Sequence, residues 1–457
     1  MFNDKITVSY GVEILKISLA DKRLFKRTIA LYLDAVHFIC RVILKNKDNI
    51  FSLSKANDRL NYVERLIHST SKNTAKYLEF DKRFFNMPSY LRRAAVAESI
   101  GHMSSYFSNL KNYEAERYEK ISNGKSFKKK APTLNLRPNK MPTFFKDNMY
   151  LPCEGYFVKL KLFDGKTWKY YKLSLRKTDV DYLSKVKGER CNPLLEFKNN
   201  KYYIRYPFQQ PHKLCVIKPV KNRTVLAVDL GINTHATCSV MRADGTIIAR
   251  KFITDATDKT TLNYLLNKKS KLQSESGNWH FAPLSHIQKK INCVNTAIEN
   301  YTCSEIIKFA KEYNVDVIVF EHLSTFRGKS SEKVHYWRKK AIIKKVCHKA
   351  HYIGIRYATV NPRYTSKYAF DGSGFTERGD NIKSIISNNG KEVSRSFSVC
   401  RFKNGKFYNC DLNASYNIGA RYFYREFKKN DNSLDKASCK VTLSDLWELK
   451  AANLKAA

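Results

Sequence analysis

The chain has 457 residues, and its 83 lysine and arginine residues outnumber its 41 aspartate and glutamate residues, which gives a formal net charge of +42. A charge of this size favours polyanions as partners and opposes a compact fold until it is neutralised. Association with a membrane is not indicated, because the sequence has no apolar run of about 20 residues and no basic amphipathic segment at either terminus.

Eleven cysteine residues are scattered singly along the chain. An odd number without clustered spacing is typical of free thiols in a reducing compartment. The residues that follow Met1 lack the apolar stretch of a signal peptide. We therefore expect a cytoplasmic protein, associated with the nucleoid if the source is a prokaryote.

The N-terminal half begins with a predicted strand and continues with helices. Alternating apolar residues predict a strand over 6–14, and apolar residues at helical spacing predict a helix over 21–44. A second helix is predicted from Ser89 to about Glu119, and the lysine-rich segment 123–132 is typical of a loop.

From about residue 150 the pattern changes to the period-two alternation of strands. Two pairs of such segments enclose a two-residue turn sequence: 156–163 and 169–175 around Asp164-Gly165, and 195–198 and 201–206 around Asn199-Asn200. Both dipeptides suit the tight turn of a β-hairpin. We therefore expect a small antiparallel barrel or sheet over about 140–217. Its many tyrosines beside lysines suit either stacking on bases or the filling of sheet faces.

The C-terminal half alternates strands with helices. In chain order, the pattern predicts a three-stranded meander (224–229, 237–241, 247–252), a helical stretch 259–313 interrupted around Gly277-Asn278, a strand 315–321, a basic helix 332–351 and a strand 356–360. This succession fits the layered α/β architecture of a ribonuclease-H-like domain.

Three acidic residues occupy positions in which a carboxylate would contribute little to the packing of the core. Asp229 and Glu321 each end an apolar run, and Asp411 precedes a predicted helix. Burying an unpaired carboxylate is costly, whereas converging carboxylates suit hard divalent cations such as Mg²⁺. A pair of these ions can activate water and stabilise the leaving oxygen in phosphodiester cleavage. The order Asp, Glu, Asp therefore indicates a nuclease core in which all three residues are catalytic and bind metal.

Two of these residues also have a purely structural interpretation. Glu321 suits an ordinary charge at the end of a strand, and Asp411 suits a plain helix N-cap. At the start of a helix, the dipole would favour the ionised form of Asp411. His322 either supports the site or is structural.

Three further residues extend the candidate site. Gly231 would let the backbone pass close to a bound strand or metal. Asn413 and Asn417 lie one helical turn apart and could contact the metal shell or the scissile strand.

Together and in this order, the motifs resemble the three RuvC motifs of the TnpB family, transposon-encoded relatives of the compact type V CRISPR effectors. The matching segments are Val-Asp-Leu-Gly-Ile-Asn around Asp229, Phe-Glu-His-Leu around Glu321 and Asp-Leu-Asn-Ala-Ser-Tyr-Asn-Ile-Gly from Asp411. Segments 360–366 and 139–144 resemble the family's approach to its target-nucleic-acid-binding insert and its entry to the β domain. The resemblance covers nearly the whole chain and is strongest over 222–425.

The resemblance implies an α+β multidomain chain with a ribonuclease-H-like (RuvC) α/β nuclease domain, a β-barrel wedge domain and a helical recognition domain. The implied boundaries are 1–20 for the first wedge strand, 21–119 for the recognition domain, 120–217 for the wedge barrel, 218–361 for RuvC with a helical insertion at 258–312, 362–409 for the target-nucleic-acid-binding insert, and 410–457 for the end of RuvC and the tail.

The resemblance also implies a function. The protein would bind a structured guide RNA, recognise a short target-adjacent motif in double-stranded DNA, and cut the double-stranded or opened single-stranded target at one RuvC site with two Mg²⁺ ions. The sequence leaves open the oligomeric state and the choice between a transposon and a CRISPR context.

One departure from the family concerns zinc. Most relatives have two Cys-x-x-Cys pairs in the insert, which form a tetrahedral zinc site. Here the segment 366–374 lacks cysteine, Cys400 and Cys410 are too few for four thiolates, and 352–457 contains no histidine. We predict no structural zinc, and we expect the insert to be held by a hairpin of 397–402 and 407–410 around Asn404-Gly405.

Two alternative functions remain at this stage. The first is an RNA-guided DNA-binding repressor that does not cut, a class whose family members lose acidic residues of the triad. The second is an RNA-independent transposase or recombinase with a ribonuclease-H-like core. RNA that copurifies with the protein would distinguish the second alternative from an RNA-guided nuclease.

Overall fold

The computed structural model describes most of the chain, namely residues 5–124, 126–134, 136, 143–144, 148–152, 154–212, 214–232, 234–276, 282–322, 339–379, 385–386, 392–393, 398–429 and 440–448. The chain divides into two compact units, Met1–Pro211 and His212–Ala457. Among the described helices, none combines the length and the apolar character needed to cross a lipid bilayer.

Six described helices belong to the first unit. They are α1 Leu19–Lys45, α2 Lys47–Phe51, α3 Ala56–Ile67, α4 Glu79–Arg83, α5 Ser89–Ser122 and α6 Lys177–Ser184. The two long helices predicted over 21–44 and 89–119 are confirmed as α1 and α5. A capping box fixes the start of α1, because Ser18 Oγ accepts a hydrogen bond from the Asp21 amide and Asp21 Oδ2 accepts one from the Ser18 amide.

An antiparallel sheet of seven strands completes the first unit. Its strands are β1 Lys5–Leu15, β2 Tyr150–Pro152, β3 Phe157–Phe163, β4 Trp168–Leu175, β5 Glu189–Arg190, β6 Leu194–Lys198 and β7 Lys201–Pro211. The order is β2-β3-β4-β1-β7-β5, with β6 also paired to β7. Strand β1 pairs with β7 over most of its length and with β4 at its end, so the first strand of the chain lies between the two later hairpins.

Both predicted hairpins are confirmed. Strands β3 and β4 pair from Phe163↔Trp168, and β6 and β7 pair from Lys198↔Lys201. Asn199 and Asn200 have φ angles of 50° and 60°. These left-handed values at both central positions match a type I′ turn, which asparagine tolerates better than most residues.

The second unit is built around a mixed sheet of five strands. Its strands are β8 Thr224–Asp229, β9 Ala236–Arg242, β10 Ile247–Ile253, β11 Val317–Glu321 and β12 Arg356–Val360, preceded by a 3₁₀ turn at Val220–Asn222. The order is β10-β9-β8-β11-β12. Strands β8, β9 and β10 form the predicted antiparallel meander, whereas β8, β11 and β12 run parallel.

Helices cover both faces of this sheet. The helices on the sheet are α8 Ala282–Glu312, α9 Lys339–Tyr352 and α10 Cys410–Phe427, and residues 443–448 form a further short helix. Helix α7 Ala256–Ser276 packs against α8. Along β8, Val225 and Ala227 pack in the cluster that contains α10, whereas Leu226 and Val228 pack in the cluster that contains α8 and α9. The predicted interruption around Gly277-Asn278 and the first part of the predicted basic helix, 332–338, lie outside the described residues.

The segment between β12 and α10 contains two small sheets. Strands β13 Glu377–Arg378, β16 Val399–Arg401 and β17 Phe407–Asn409 form one, and β14 Ile385–Ile386 and β15 Glu392–Val393 form the other. The predicted hairpin around Asn404-Gly405 is confirmed as β16–β17, with Gly405 at a φ of 84°.

An aromatic cluster packs beneath this hairpin. The ring centroid of Phe370 lies 5.5 Å from that of Phe402, 4.9 Å from that of Tyr408 and 5.2 Å from that of Tyr416. Because Phe402 and Tyr416 are almost fully buried, this apolar packing anchors the hairpin to α10.

Candidate functional site

The topology of the five-stranded sheet places two of the predicted carboxylates at one edge. Asp229 ends β8 and Glu321 ends β11. These strands are parallel neighbours in which Val228 pairs with Phe320. The next position along both strands therefore sets Asp229 beside Glu321 at the carboxyl edge of the sheet, where parallel α/β sheets commonly bind ligands.

Asp411 reaches the same edge from α10, although not as the sequence predicted. The helix begins at Cys410, so Asp411 does not precede it but lies in its first turn. The N-cap is Asn409, whose side chain accepts hydrogen bonds from the amides of Asp411 and Leu412, both at 3.0 Å. Asp411 is therefore not the cap, and its carboxylate is free to point elsewhere near the positive end of the helix dipole.

The turn after β8 requires the predicted glycine. A Cβ atom at Gly231 would lie 2.5 Å from the carbonyl oxygen of Thr234, which is closer than real Cβ contacts. The tight turn brings Thr234 to Asp411, and their side chains form a hydrogen bond. Gly231 thus acts through the backbone that supports Asp411.

All three carboxylates line a single cleft of about 900 Å³. Burial, together with the negative charges of Glu321 and Asp411, raises the pKa of Asp229 to about 8. Burial also raises the pKa of Asp411. In the folded chain Asp229 therefore holds its proton more tightly than an exposed aspartate does.

Two cationic residues that the sequence analysis missed lie in the same cleft. Lys339, at the start of α9, and Arg378, on β13, both line it. Burial lowers the pKa of the Lys339 ammonium, although the three carboxylates favour its charged form. Both cations oppose the rise in the pKa of Asp229. Such groups can bind the phosphates of a nucleic-acid backbone.

The carboxylate of Glu321 is oriented by a neighbouring hydroxyl. Thr365, which is 1% exposed, donates a hydrogen bond from its Oγ1 to Glu321 Oε1. His322 lines the cleft too, and its backbone amide donates to the carbonyl oxygen of Val360 across the strand ends. Its ring lies at the surface, 3.5 Å from the Thr359 hydroxyl.

Asn413 and Asn417 do not line the cleft. Both are fully buried. Asn413 accepts from the Phe370 amide and donates to the Tyr368 carbonyl oxygen, each at 2.8 Å. Asn417 donates to the carbonyl oxygens of Thr365 and Tyr368, each at 2.9 Å. They fix the chain that orients Glu321, so the prediction that they contact metal or the scissile strand is wrong.

The donor set fits hard divalent cations, because it consists of the carboxylate oxygens of three residues that line one cleft. Within the described part of the chain, no group of three or more histidine, cysteine, aspartate or glutamate side chains is already arranged to hold an ion. The residues thus suit Mg²⁺ by the chemistry of their oxygen atoms and by their place in one cleft.

Comparison with known proteins supports the fold. The Aq_aa04 family model matches residues 9–164, which is less than half of the chain and excludes the cleft. No curated protein matches the sequence. The cryo-EM structure of the Cas12f1–sgRNA–target DNA complex is similar with a TM-score of 0.54 at 15% identity, covering 88% of this chain and 82% of that chain.

Two further structures are similar at lower scores. The mini-RNA-guided endonuclease CRISPR-Cas_phi3 has a TM-score of 0.46 at 11% identity, covering 91% of this chain and 92% of that chain. CasPhi-2 (Cas12j) bound to crRNA and phosphorothioate-DNA has a TM-score of 0.47 at 8% identity, covering 92% and 91%. The chain thus has a mixed α+β fold that resembles the fold of Cas12f1.

Proposed function

We propose that the protein is an RNA-guided, Mg²⁺-dependent DNA endonuclease related to the TnpB family. It would bind a structured guide RNA, recognise a short target-adjacent motif in duplex DNA and cut the DNA at one nuclease site. The observation on which this depends most is that Asp229, Glu321 and Asp411, far apart in sequence, line one cleft.

The sheet topology supports a ribonuclease-H-like (RuvC) assignment for the second unit. The order β10-β9-β8-β11-β12, with an antiparallel meander followed by two parallel strands, is the arrangement expected of that fold. Asp229 and Glu321 end the first and fourth of these strands in chain order. Asp411 lies in the first turn of the helix that covers one face of the sheet. This is where a nuclease of that class would hold its metal ligands.

Asp229, Glu321 and Asp411 would hold the ions, which we expect to be two. Bound Mg²⁺ would supply a Lewis acid that favours an attacking hydroxide and offsets charge on the leaving 3′ oxygen. The chain's own contribution is positional. Thr365 would orient Glu321. Thr234 and the Asn409 cap would orient Asp411. The cationic side chains of Lys339 and Arg378 would bind the phosphates beside the scissile bond.

The organisation of the first unit supports the proposed wedge and recognition domains. Strand β1 shares a sheet with the later hairpins, which supports the proposal that residues 1–20 and 120–217 belong to one β domain and that the helices between them are an insertion. The proposed insert for target nucleic acid, 362–409, follows β12 and carries the small sheet of β13, β16 and β17.

The partners follow from charge and from the similar structure. A net charge of +42 suits nucleic acid, and the Cas12f1 structure contains sgRNA and target DNA. A repressor that binds without cutting is disfavoured, because all three carboxylates are present and line one cleft. A transposase without RNA stays the main competitor.

The test is cleavage by the purified protein with its copurified RNA, using a DNA duplex that carries the RNA's target. Alanine at Asp229, Glu321 or Asp411 should abolish Mg²⁺-dependent cutting while RNA binding is retained. Glu275→Ala is a matched control, since this acidic residue is exposed on α7 and lies outside the cleft. Cutting retained by any of the three variants would overturn the site assignment.

A further inference from the structure

Tyr364, beside the cleft, has an unusual backbone conformation. Its φ angle is 67°, in the left-handed region. For a bulky residue this conformation is an outlier that costs about 1–2 kcal/mol and persists only where the surrounding structure enforces it.

Buried side chains enforce it from both sides. Arg421, which is 4% exposed, donates from its Nη1 to the carbonyl oxygens of Asn361 and Arg363, each at 2.8 Å. Asn417 holds the carbonyl oxygens of Thr365 and Tyr368. The backbone before and after Tyr364 is therefore fixed, and with it the direction in which the side chain leaves the backbone.

The fixed ring belongs to a second aromatic cluster, formed by Tyr364, Tyr368 and Phe375. The rings of Tyr368 and Phe375 lie 4.4 Å apart with planes at 32°, and Tyr364 meets both edge-on at 5.8 and 6.0 Å. In contrast to the buried cluster around Phe370, this one reaches the surface: Phe375 is 48% exposed, and Tyr364 and Tyr368 are partly exposed.

The cluster lies next to the cleft and among cations. Arg363 lines the cleft, and its guanidinium lies 4.9 Å from the centroid of the Tyr364 ring. Arg378, another lining residue, follows Phe375 by three positions, a chain length of no more than about 11 Å. Exposed Lys367 precedes Tyr368 in the chain, and the side chain of Lys403 lies against Gly374, which precedes Phe375.

We propose that Tyr364, Tyr368 and Phe375 form a stacking platform for the bases of single-stranded DNA entering the cleft. Exposed rings beside cations suit unpaired bases, whose faces are accessible, and the cations suit the adjoining phosphates. A duplex would not use the platform, because its bases are already stacked. This inference deepens the proposed function and rests on it, since it names how the scissile strand is held.

The test measures strand binding without cutting. Full-length protein with its copurified RNA and an Asp229→Ala background would be titrated with a fluorescein-labelled thymidine strand of about 12 nucleotides and with an abasic strand of the same length. Phosphate contacts weaken with salt whereas stacking depends on the bases, so the titrations would be repeated at several salt concentrations.

We expect Tyr364→Gly and Phe375→Leu each to weaken binding of the thymidine strand roughly tenfold, with the abasic strand and the salt dependence unaffected. Tyr364→Phe should bind like the parent, and so should Tyr301→Leu, which removes an exposed ring on α8 outside the cleft. Glycine accepts the left-handed conformation, so Tyr364→Gly should not lower the melting temperature.

Unchanged affinity in both Tyr364→Gly and Phe375→Leu, or an equal loss for the abasic strand, would overturn the platform. Failure of the proposed function is separable from this outcome. A parent protein that binds the thymidine strand in a Tyr364-dependent way but does not cut a matched duplex would retain the platform and lose the nuclease assignment.

Discussion

Replacing Asp229 by asparagine should stabilise the protein when divalent metal is absent. The carboxylate is buried near Glu321 and Asp411, and these conditions raise its pKa to about 8 from an ordinary value of 3.8. At pH values between these two pKa values, Asp229 is ionised in the unfolded chain but protonated in the folded chain. Stability therefore falls as the pH rises from about 4 to about 8, and asparagine removes this loss.

The size of the effect follows from the same two pKa values. At about 1.4 kcal/mol for each pKa unit, the ceiling is about 6 kcal/mol at pH 8 and above. The cleft is open to water, and an effective dielectric constant near 20 describes such sites better than that of a dry interior. We therefore expect about 2 kcal/mol, which corresponds to roughly 4–8 °C in melting temperature for a unit of this size.

The assay is thermal unfolding of the wild type and Asp229→Asn in EDTA at pH 5 and pH 8, followed by addition of Mg²⁺. The difference between the two proteins should be small at pH 5 and largest at pH 8, and Mg²⁺ should stabilise the wild type more than the variant. Glu275→Gln on the exposed face of α7 should behave like the wild type. A variant that is less stable than the wild type at pH 8 in EDTA would refute the claim that the carboxylates converge.

Three further predictions concern packing and turns. Asn413→Ala should lower the free energy of unfolding by about 2–4 kcal/mol in a urea titration, because it leaves the Phe370 amide and the Tyr368 carbonyl unpaired; an unchanged midpoint would contradict this. Phe402→Ala should cost about 3–4 kcal/mol, whereas a zinc chelator should leave the melting temperature of the wild type unchanged; a drop with chelator would mean that a metal holds the insert. Asn200→Val should cost about 1–2 kcal/mol at its φ of 60°, while Asn200→Gly should be nearly neutral, as calorimetry would show.

The elements that the sequence predicted well are those governed by local chemistry. Asp164-Gly165 and Asn199-Asn200 stand between alternating segments, and each does form the turn of a hairpin. The strands that end at Asp229 and Glu321 were recognisable because a charge terminates a run of buried apolar residues. The two carboxylates lie side by side because these two strands are parallel neighbours in the sheet.

The parts that the sequence did not predict depend on contacts between distant segments. Nothing in the residues around Lys339 or Arg378 indicates that both side chains meet the carboxylates. Asn413 and Asn417 have the residue type and spacing of a polar site, yet their side chains bind backbone groups of a loop about 50 positions earlier. The left-handed conformation of Tyr364 has no signal in the sequence, because tyrosine is a poor choice for it.

The most direct test of the account is cleavage of a DNA duplex chosen from the protein's own RNA. The protein would be expressed with its flanking DNA, washed at high salt, and its copurified RNA sequenced. A duplex matched to the end of that RNA would then be compared with a scrambled duplex in Mg²⁺ and in EDTA. We predict a discrete RNA and cutting of the matched duplex in Mg²⁺ alone. Cutting that ignores the match, or a preparation without a discrete RNA, would contradict guidance by RNA and favour an RNA-independent transposase.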